Sequence, residues 1–144
     1  MYYENEKITS TLFVACLSFG FITTSALAGN DEHGYSMRVY GFKQKSHSAG
    51  WYRQTTNYKN NWKVKLTKSG EGPHTISIFW LEKAGGANVS PIIKKIAGNP
   101  EAYQRVNPSF HGKKTVMLTA QNNNISGNEY NIPGYWDEET GKIQ

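Results

Sequence analysis

Residues 50–83 read GWYRQTTNYKNNWKVKLTKSGEGPHTISIFWLEK and hold three of the four tryptophans, Trp51, Trp62 and Trp80. In the first half Trp62, Val64 and Leu66 alternate with Lys63, Lys65 and Thr67. That is a period of two, with one apolar and one basic face, and it predicts a half-buried strand. In the second half, TISIFWL (residues 75–81), both faces become apolar towards the end, as in a strand covered on both sides. The turn residues between them, Ser69-Gly70-Glu71-Gly72-Pro73, predict that the two strands form a central hairpin. The expected core is Trp62, Val64, Leu66, Ile76, Ile78 and Trp80, with Val116 and Leu118 from further along the chain.

Outward from this stretch, short strand-like runs recur at regular intervals. Residues 35–43 (YSMRVYGFK) alternate, and residues 51–56 can form a short strand after a polar loop at 44–50. Residues 89–96 (VSPIIKKI) read as an edge, because Pro91 has no amide hydrogen to give to a ladder. A short strand is expected at 103–106 and a strong one at 113–121 (KKTVMLTAQ), with Val116, Leu118 and Ala120 on one face. After the turn NNNISGN, residues 129–136 (EYNIPGYW) are expected to pair back as a final hairpin, with Pro133-Gly134 marking an edge or bulge. Repeats, heptads and amphipathic helices are missing from the pattern. The expectation is an all-β chain, a small antiparallel β-sandwich over residues 29–144.

The N-terminus reads differently. Residues 11–22, TLFVACLSFGFI, form an apolar run shorter than the roughly 20 residues that span a bilayer. It leads to Ala26-Leu27-Ala28, a small-x-small cleavage pattern, so residues 1–28 read as a secretory signal peptide cleaved after Ala28. Glu4 and Glu6 against Lys7 depart from the usual positive n-region. A lipoprotein reading at Cys16 fits poorly, because the apolar run continues past it and Phe13 stands three residues before it. Cleavage leaves 116 of the 144 residues, without a transmembrane segment and without cysteine. Lys plus Arg then fall from 16 to 15 with Lys7, and Asp plus Glu from 11 to 9 with Glu4 and Glu6, for a net charge of about +6. Such a protein is drawn to anionic polymers and surfaces.

The chemistry-bearing residues form no catalytic signature. His33, His47, His74 and His111 show no metal-ligand spacing, and Asp31-Glu32-His33 reads as a solvated end. Asp137-Glu138-Glu139 lacks a calcium-loop pattern and reads as a solvated charge run within a polar tail at 137–144. A nucleophile elbow and a phosphate loop are both missing, and nothing in the spacing of Glu71, Glu82, Glu101 and Glu129 selects a carboxylate pair. No enzyme activity, cofactor or metal is therefore expected. Two constellations remain. Tyr52, Tyr58, Tyr135 and Trp136 lie among amide side chains, the mixture that lines a sugar-binding face, or else pack in the core. Lys59, Lys63, Lys65 and Lys68 form a basic ridge that meets an anionic envelope polymer or lipid, or else protects a sheet edge from aggregation. Nucleic acid is not expected of an exported chain.

The runs WYRQTTNYKNNWKVKL, GEGPHTISIFWL and AQNNN…GYWDEET, after NDEHGYSMRVYG, resemble the domain of unknown function 2712. The resemblance spans most of the chain after the signal. It implies a small secreted protein of Bacillus-like Gram-positive bacteria and a β-rich fold, and it brings no activity, cofactor or catalytic residue. A looser similarity in size and texture is to bacteriocins of the lactococcin 972 type. The expected function is a non-enzymatic exported protein that binds an anionic envelope polymer or carbohydrate. The alternative is a cationic, bacteriocin-like antimicrobial or a component of such a system. N-terminal sequencing of secreted material should begin at Gly29, and a lipid-modified Cys16 as first residue would contradict the cleavage assignment.

Overall fold

The computed structural model describes residues 31–144. The signal peptide, its cleavage after Ala28 and the Cys16 alternative lie outside the described residues. Eight strands run in chain order: β1 His33–Val39, β2 Ser46–Tyr52, β3 Trp62–Leu66, β4 Ile76–Lys83, β5 Ile93–Ile96, β6 Ala102–Gln104, β7 Thr115–Asn122 and β8 Tyr130–Asp137. They form two four-stranded sheets, ordered β1-β8-β3-β6 and β2-β7-β4-β5, and every pairing is antiparallel. The chain is an all-β sandwich.

The pairings have a single logic. β1 pairs with β8, β2 with β7, β3 with β6 and β4 with β5. The chain thus runs as one long hairpin folded about the β4–β5 connection and rolled into two sheets, which is the strand order of a jelly roll. The pivot is built on Gly85 and Gly86. Gly85 and Gly86 hold φ of 92° and 83°, and the Lys83 amide bonds the Ala87 carbonyl at 3.0 Å.

Two expected hairpins are not formed. β3 and β4 lie in different sheets, because both edges of β3 are occupied, by β8 and β6. The connecting segment follows β8 instead. The Thr67 and Gly70 amides donate to the Pro133 and Asn131 carbonyls at 3.0 and 2.9 Å. A Cβ on Gly70 would come within 3.1 Å of the Tyr130 Cβ, so this close approach favours glycine. β7 and β8 are likewise split between the sheets. Pro133 sits in an interior strand, not at an edge, but just past Gly134, where the pairing with β3 ends at Leu66. β5 lies at an edge as expected, with Pro91 before it.

β2 begins at Ser46, inside the expected polar loop. SHSAG has little strand propensity. Its backbone is held by β7, with a bulge between His47 and Gly50.

The core lies between the sheets. Trp62, Val64, Leu66, Val116 and Leu118 are in it, as expected. Ile76, Ile78 and Trp80 are not, because the phase of β4 is opposite to the expected one. Phe79 and Leu81 point inward, opposite Ala120 and Leu118. The other phase would carry Glu82 into the apolar layer together with Trp80. Trp80 is still buried, but on the outer face of the second sheet.

The end of the sandwich beside the β1 N-terminus is closed by polar groups. Arg53 is fully buried and donates to the carbonyls of Asn57 and Asn60 at 3.0 and 2.6 Å, and to that of Glu138. Burial pushes its pKa down to about 10, against the pull of Glu139, Glu138 and Asp137, so it stays charged at neutral pH. Glu139 accepts from the amides of Gln54 and Thr55 at 2.8 Å each. The acidic run Asp137-Glu138-Glu139 is therefore buried structure and not a solvated tail. The segment after β8 is also held, the Thr140 amide bonding the Asn61 carbonyl at 2.8 Å.

The phase of β4 can be tested directly. Phe79→Ala should cost about 3–5 kcal/mol in urea unfolding, and Ile78→Ala should cost clearly less. Equal losses would contradict the assignment.

Candidate functional site

The outer face of each sheet carries a cluster of ionisable groups. On the first sheet, Lys63 is buried. Its Nζ donates to Glu32 Oε1 at 2.5 Å, lies 3.8 Å from Glu101 Oε2 and sits 5.6 Å from the centre of the Tyr135 ring. Burial works to lower its pKa, but the Glu32 hydrogen bond and the charges of Glu101 and Glu32 outweigh it, and the ammonium is held above its ordinary value. Glu101 accepts from Tyr103 on one oxygen and from Tyr135 on the other, the latter at 2.9 Å. These bonds, Tyr103 foremost, hold its carboxyl below the usual range. Lys65 Nζ donates to the Asn99 carbonyl at 2.6 Å.

The expected basic ridge is therefore not free. Period two does place Lys63 and Lys65 opposite the core, but Lys63 is ion-paired under Glu32 and Glu101, and Lys65 is tied to backbone carbonyls. Lys59 and Lys68 are exposed, beyond opposite ends of a strand five residues, or about 17 Å, long. The four lysines do not form one patch.

The expected aromatic set is scattered too. Trp136 is fully buried in the core, so it cannot offer a ring to a ligand. Tyr58 packs against the core, and Tyr135 is committed to Glu101. Tyr52 is 53% exposed and stands opposite Thr115 on the outer face of the second sheet. His33, expected in a loose end, starts β1, stacks on Trp51 at 3.7 Å and bonds Glu138 at 2.9 Å.

The second sheet's outer face holds the arrangement that sequence reasoning missed. It centres on Glu82, whose side chain is 1% exposed. Its Oε1 accepts from Lys45 Nζ at 2.7 Å and from Trp80 Nε1 at 2.8 Å, and its Oε2 lies 2.8 Å from His47 Nε2. Lys45 also stands 5.7 Å from the centre of the Trp80 ring. Burial works to raise the Glu82 pKa, yet the hydrogen bonds from Lys45, His47 and Trp80, with the charge of Lys45, hold it below the ordinary carboxylate range. An ionised carboxylate only accepts, so His47 Nε2 carries a proton and its Nδ1 is turned to other partners. The His47 and Lys45 side chains are 37% and 50% exposed. One buried carboxylate thus holds an imidazole and an ammonium at the surface, with the buried Trp80 ring beneath them.

The register extends the face. Glu82 is opposite Met117, which is opposite Gly50, and the next row ends on Tyr52 and Thr115. Beside that row is an open depression of about 390 Å³ lined by Lys83, Ala84, Lys114 and Thr115. Lys83 and Lys114 have no ion pair among the described residues. No group of three or more His, Cys, Asp or Glu able to hold a metal occurs among the described residues. The clue in sequence was Trp80-Leu81-Glu82, a carboxylate two residues from a tryptophan on one strand face. Its partners come from β2 and the loop before it, which no local pattern connects to β4.

The fold and this face define a small β-sandwich of jelly-roll order with a basic, aromatic-bearing sheet surface. The chain belongs to the family described as a protein of unknown function, DUF2712, whose profile matches residues 22–140. No curated protein and no solved structure matches it.

Glu82 has a pH signature. Because its folded pKa is depressed, its stabilising contribution is present above the unfolded glutamate value of about 4.3 and is lost as pH falls through the lower folded value. Glu82→Gln should lower the melting temperature at neutral pH and flatten its decline below about pH 4. Parallel curves for wild type and variant would show that the three donors do not stabilise the carboxylate.

Proposed function

We propose that this protein is an exported, non-enzymatic binding protein whose ligand is an anionic, hydroxyl-bearing polymer of the cell envelope. The ligand lies along the outer face of the second sheet. The observation that carries this reading is the Glu82 arrangement, which holds Lys45, with donor capacity to spare, and His47, whose Nδ1 is left to accept, beside the buried Trp80 ring. A sugar–phosphate chain offers the matching chemistry: a phosphate for Lys45, hydroxyls for His47 and Thr115, and further phosphates for Lys83 and Lys114, which line the depression at the strand ends beside that face rather than the face itself. The exposed Tyr52 ring adds a surface on which a sugar can stack. The commitment of three of the four glutamates weighed above, Glu71 excepted, supports a binding role over catalysis. Glu82 is saturated by donors, Glu101 is held by two tyrosines, and Glu129 pairs with Arg38 at 2.7 Å.

The test compares purified wall fragments before and after chemical removal of their sugar–phosphate polymer. Binding to intact fragments should saturate and weaken with salt as screening shortens to about 3 Å at 1 M. It should drop several-fold in Lys83→Gln/Lys114→Gln, with an unchanged melting temperature. Equal binding to stripped and intact walls, or equal binding by the variant, would refute the reading.

A further inference from the structure

The β1–β2 connection makes an expensive turn. Phe42 and Lys43 both adopt the left-handed region, with φ of 56° and 58°, and the Gln44 amide bonds the Gly41 carbonyl at 3.3 Å. Glycine or asparagine usually fills both central positions of such a turn. A side chain with a Cβ is strained there, because the Cβ crowds the following carbonyl oxygen. The turn is nonetheless pinned. The Phe42 amide donates to the Ser126 carbonyl at 2.6 Å, and the Gln121 side chain bonds the Lys43 carbonyl. Gly41 fits against Gly127 only because it has no Cβ, which would lie 2.8 Å from the Gly127 carbonyl oxygen.

This strain presents an apolar side chain to solvent: Phe42 is 71% exposed. The β7–β8 connection, docked against it through Ser126, presents Ile125 at 78% exposure. That loop is also built and not slack, with the Asn124 amide on Asn122 Oδ1 at 2.9 Å. The Phe42 ring lies against Gly127, but most of its surface and that of Ile125 stay in water on ordered loop tips. Functional strain of this kind points to a partner outside the molecule.

The chemistry of the two tips selects the partner. Residues 40–45 and 121–128 contain Lys43, and Lys45 whose ammonium is paired with Glu82, together with Gln and Asn side chains and no acidic residue. The nearest carboxylate in sequence, Glu129, is neutralised by Arg38. Apolar side chains at a tip, ringed by amides and the Lys43 ammonium, match a bilayer surface. The rings and branched chains enter the acyl boundary, while ammonium groups stay with anionic headgroups. We propose that the Phe42 and Ile125 loop tips form a peripheral membrane-docking site for anionic bilayers. It is separate from the sheet face proposed to hold a wall polymer.

The experiment is sedimentation of the full chain with sucrose-loaded vesicles, either equal parts phosphatidylglycerol and phosphatidylcholine or phosphatidylcholine alone. The chain should partition more strongly onto the anionic vesicles. Phe42→Ser/Ile125→Ser should reduce that partition about fivefold or more, and Lys43→Gln should reduce the preference for the anionic lipid. Every version carries the same apolar N-terminal run, so equal partition of wild type and double variant would assign binding to that run or to bulk charge and overturn the site. Phe42→Trp gives a second reading that does not depend on the double variant folding. Lipid brominated in its acyl chains should quench its fluorescence beyond the wild-type level, and no added quenching would overturn the proposal. Concentration-dependent self-association that the double variant abolishes, with vesicle binding unchanged, would assign the tips to a second copy of the chain instead.

Discussion

Packing of Phe79 and Leu81 against Ala120 and Leu118 is the contact on which the rest of this structure depends. It sets the phase of the central strand of the second sheet, and alternation then dictates everything on the other side. With these residues inward, Trp80 and Glu82 must face outward. Glu82 becomes a buried charge on a sheet surface, and such a charge is tolerated only when paired and hydrogen-bonded. Lys45, His47 and the Trp80 indole meet that requirement. The Glu82 face is thus a consequence of how the core chose its side.

The two sheets solve their charge problems in the same way. On the first sheet Lys63 is the buried charge, answered by Glu32 and Glu101, with two tyrosines completing Glu101. At the end of the sandwich Arg53 is the buried charge, answered by backbone carbonyls and the carboxylates that follow β8. These two clusters turn their polar groups on one another. Of these three clusters, the one at Glu82 leaves Lys45 donor capacity facing out, which separates it from purely structural pairing.

The jelly-roll order explains why loops carry so much of the exposed chemistry. Nearly every connection crosses from one sheet to the other, so the loops gather at the two ends of the sandwich. One end is closed by the Arg53 cluster and the His33–Trp51 stack. At the other, the β1–β2 and β7–β8 connections are tied together and expose Phe42 and Ile125.

Sequence by itself determined the all-β class, most strand positions, and the inward set Trp62, Val64, Leu66, Val116 and Leu118. Each of these rests on a period of two with one face clearly apolar, and such alternation is local information. It could not determine the phase of β4, where Ile76, Ile78 and Trp80 compete with Phe79 and Leu81 and both faces are apolar. Nor could it decide which strands are neighbours. A turn sequence such as SGEGP fits a hairpin and a crossing between sheets equally well, and the choice depended on β8 occupying the edge of β3. The burial of Lys63 and of the run from Asp137 to Glu139 was hidden for the same reason. Charged side chains read as solvated until tertiary pairing brings Glu32, Glu101 and Arg53 to them. The Glu82 face is decided wholly at that level, because Lys45 and His47 lie more than thirty residues from the carboxylate that positions them.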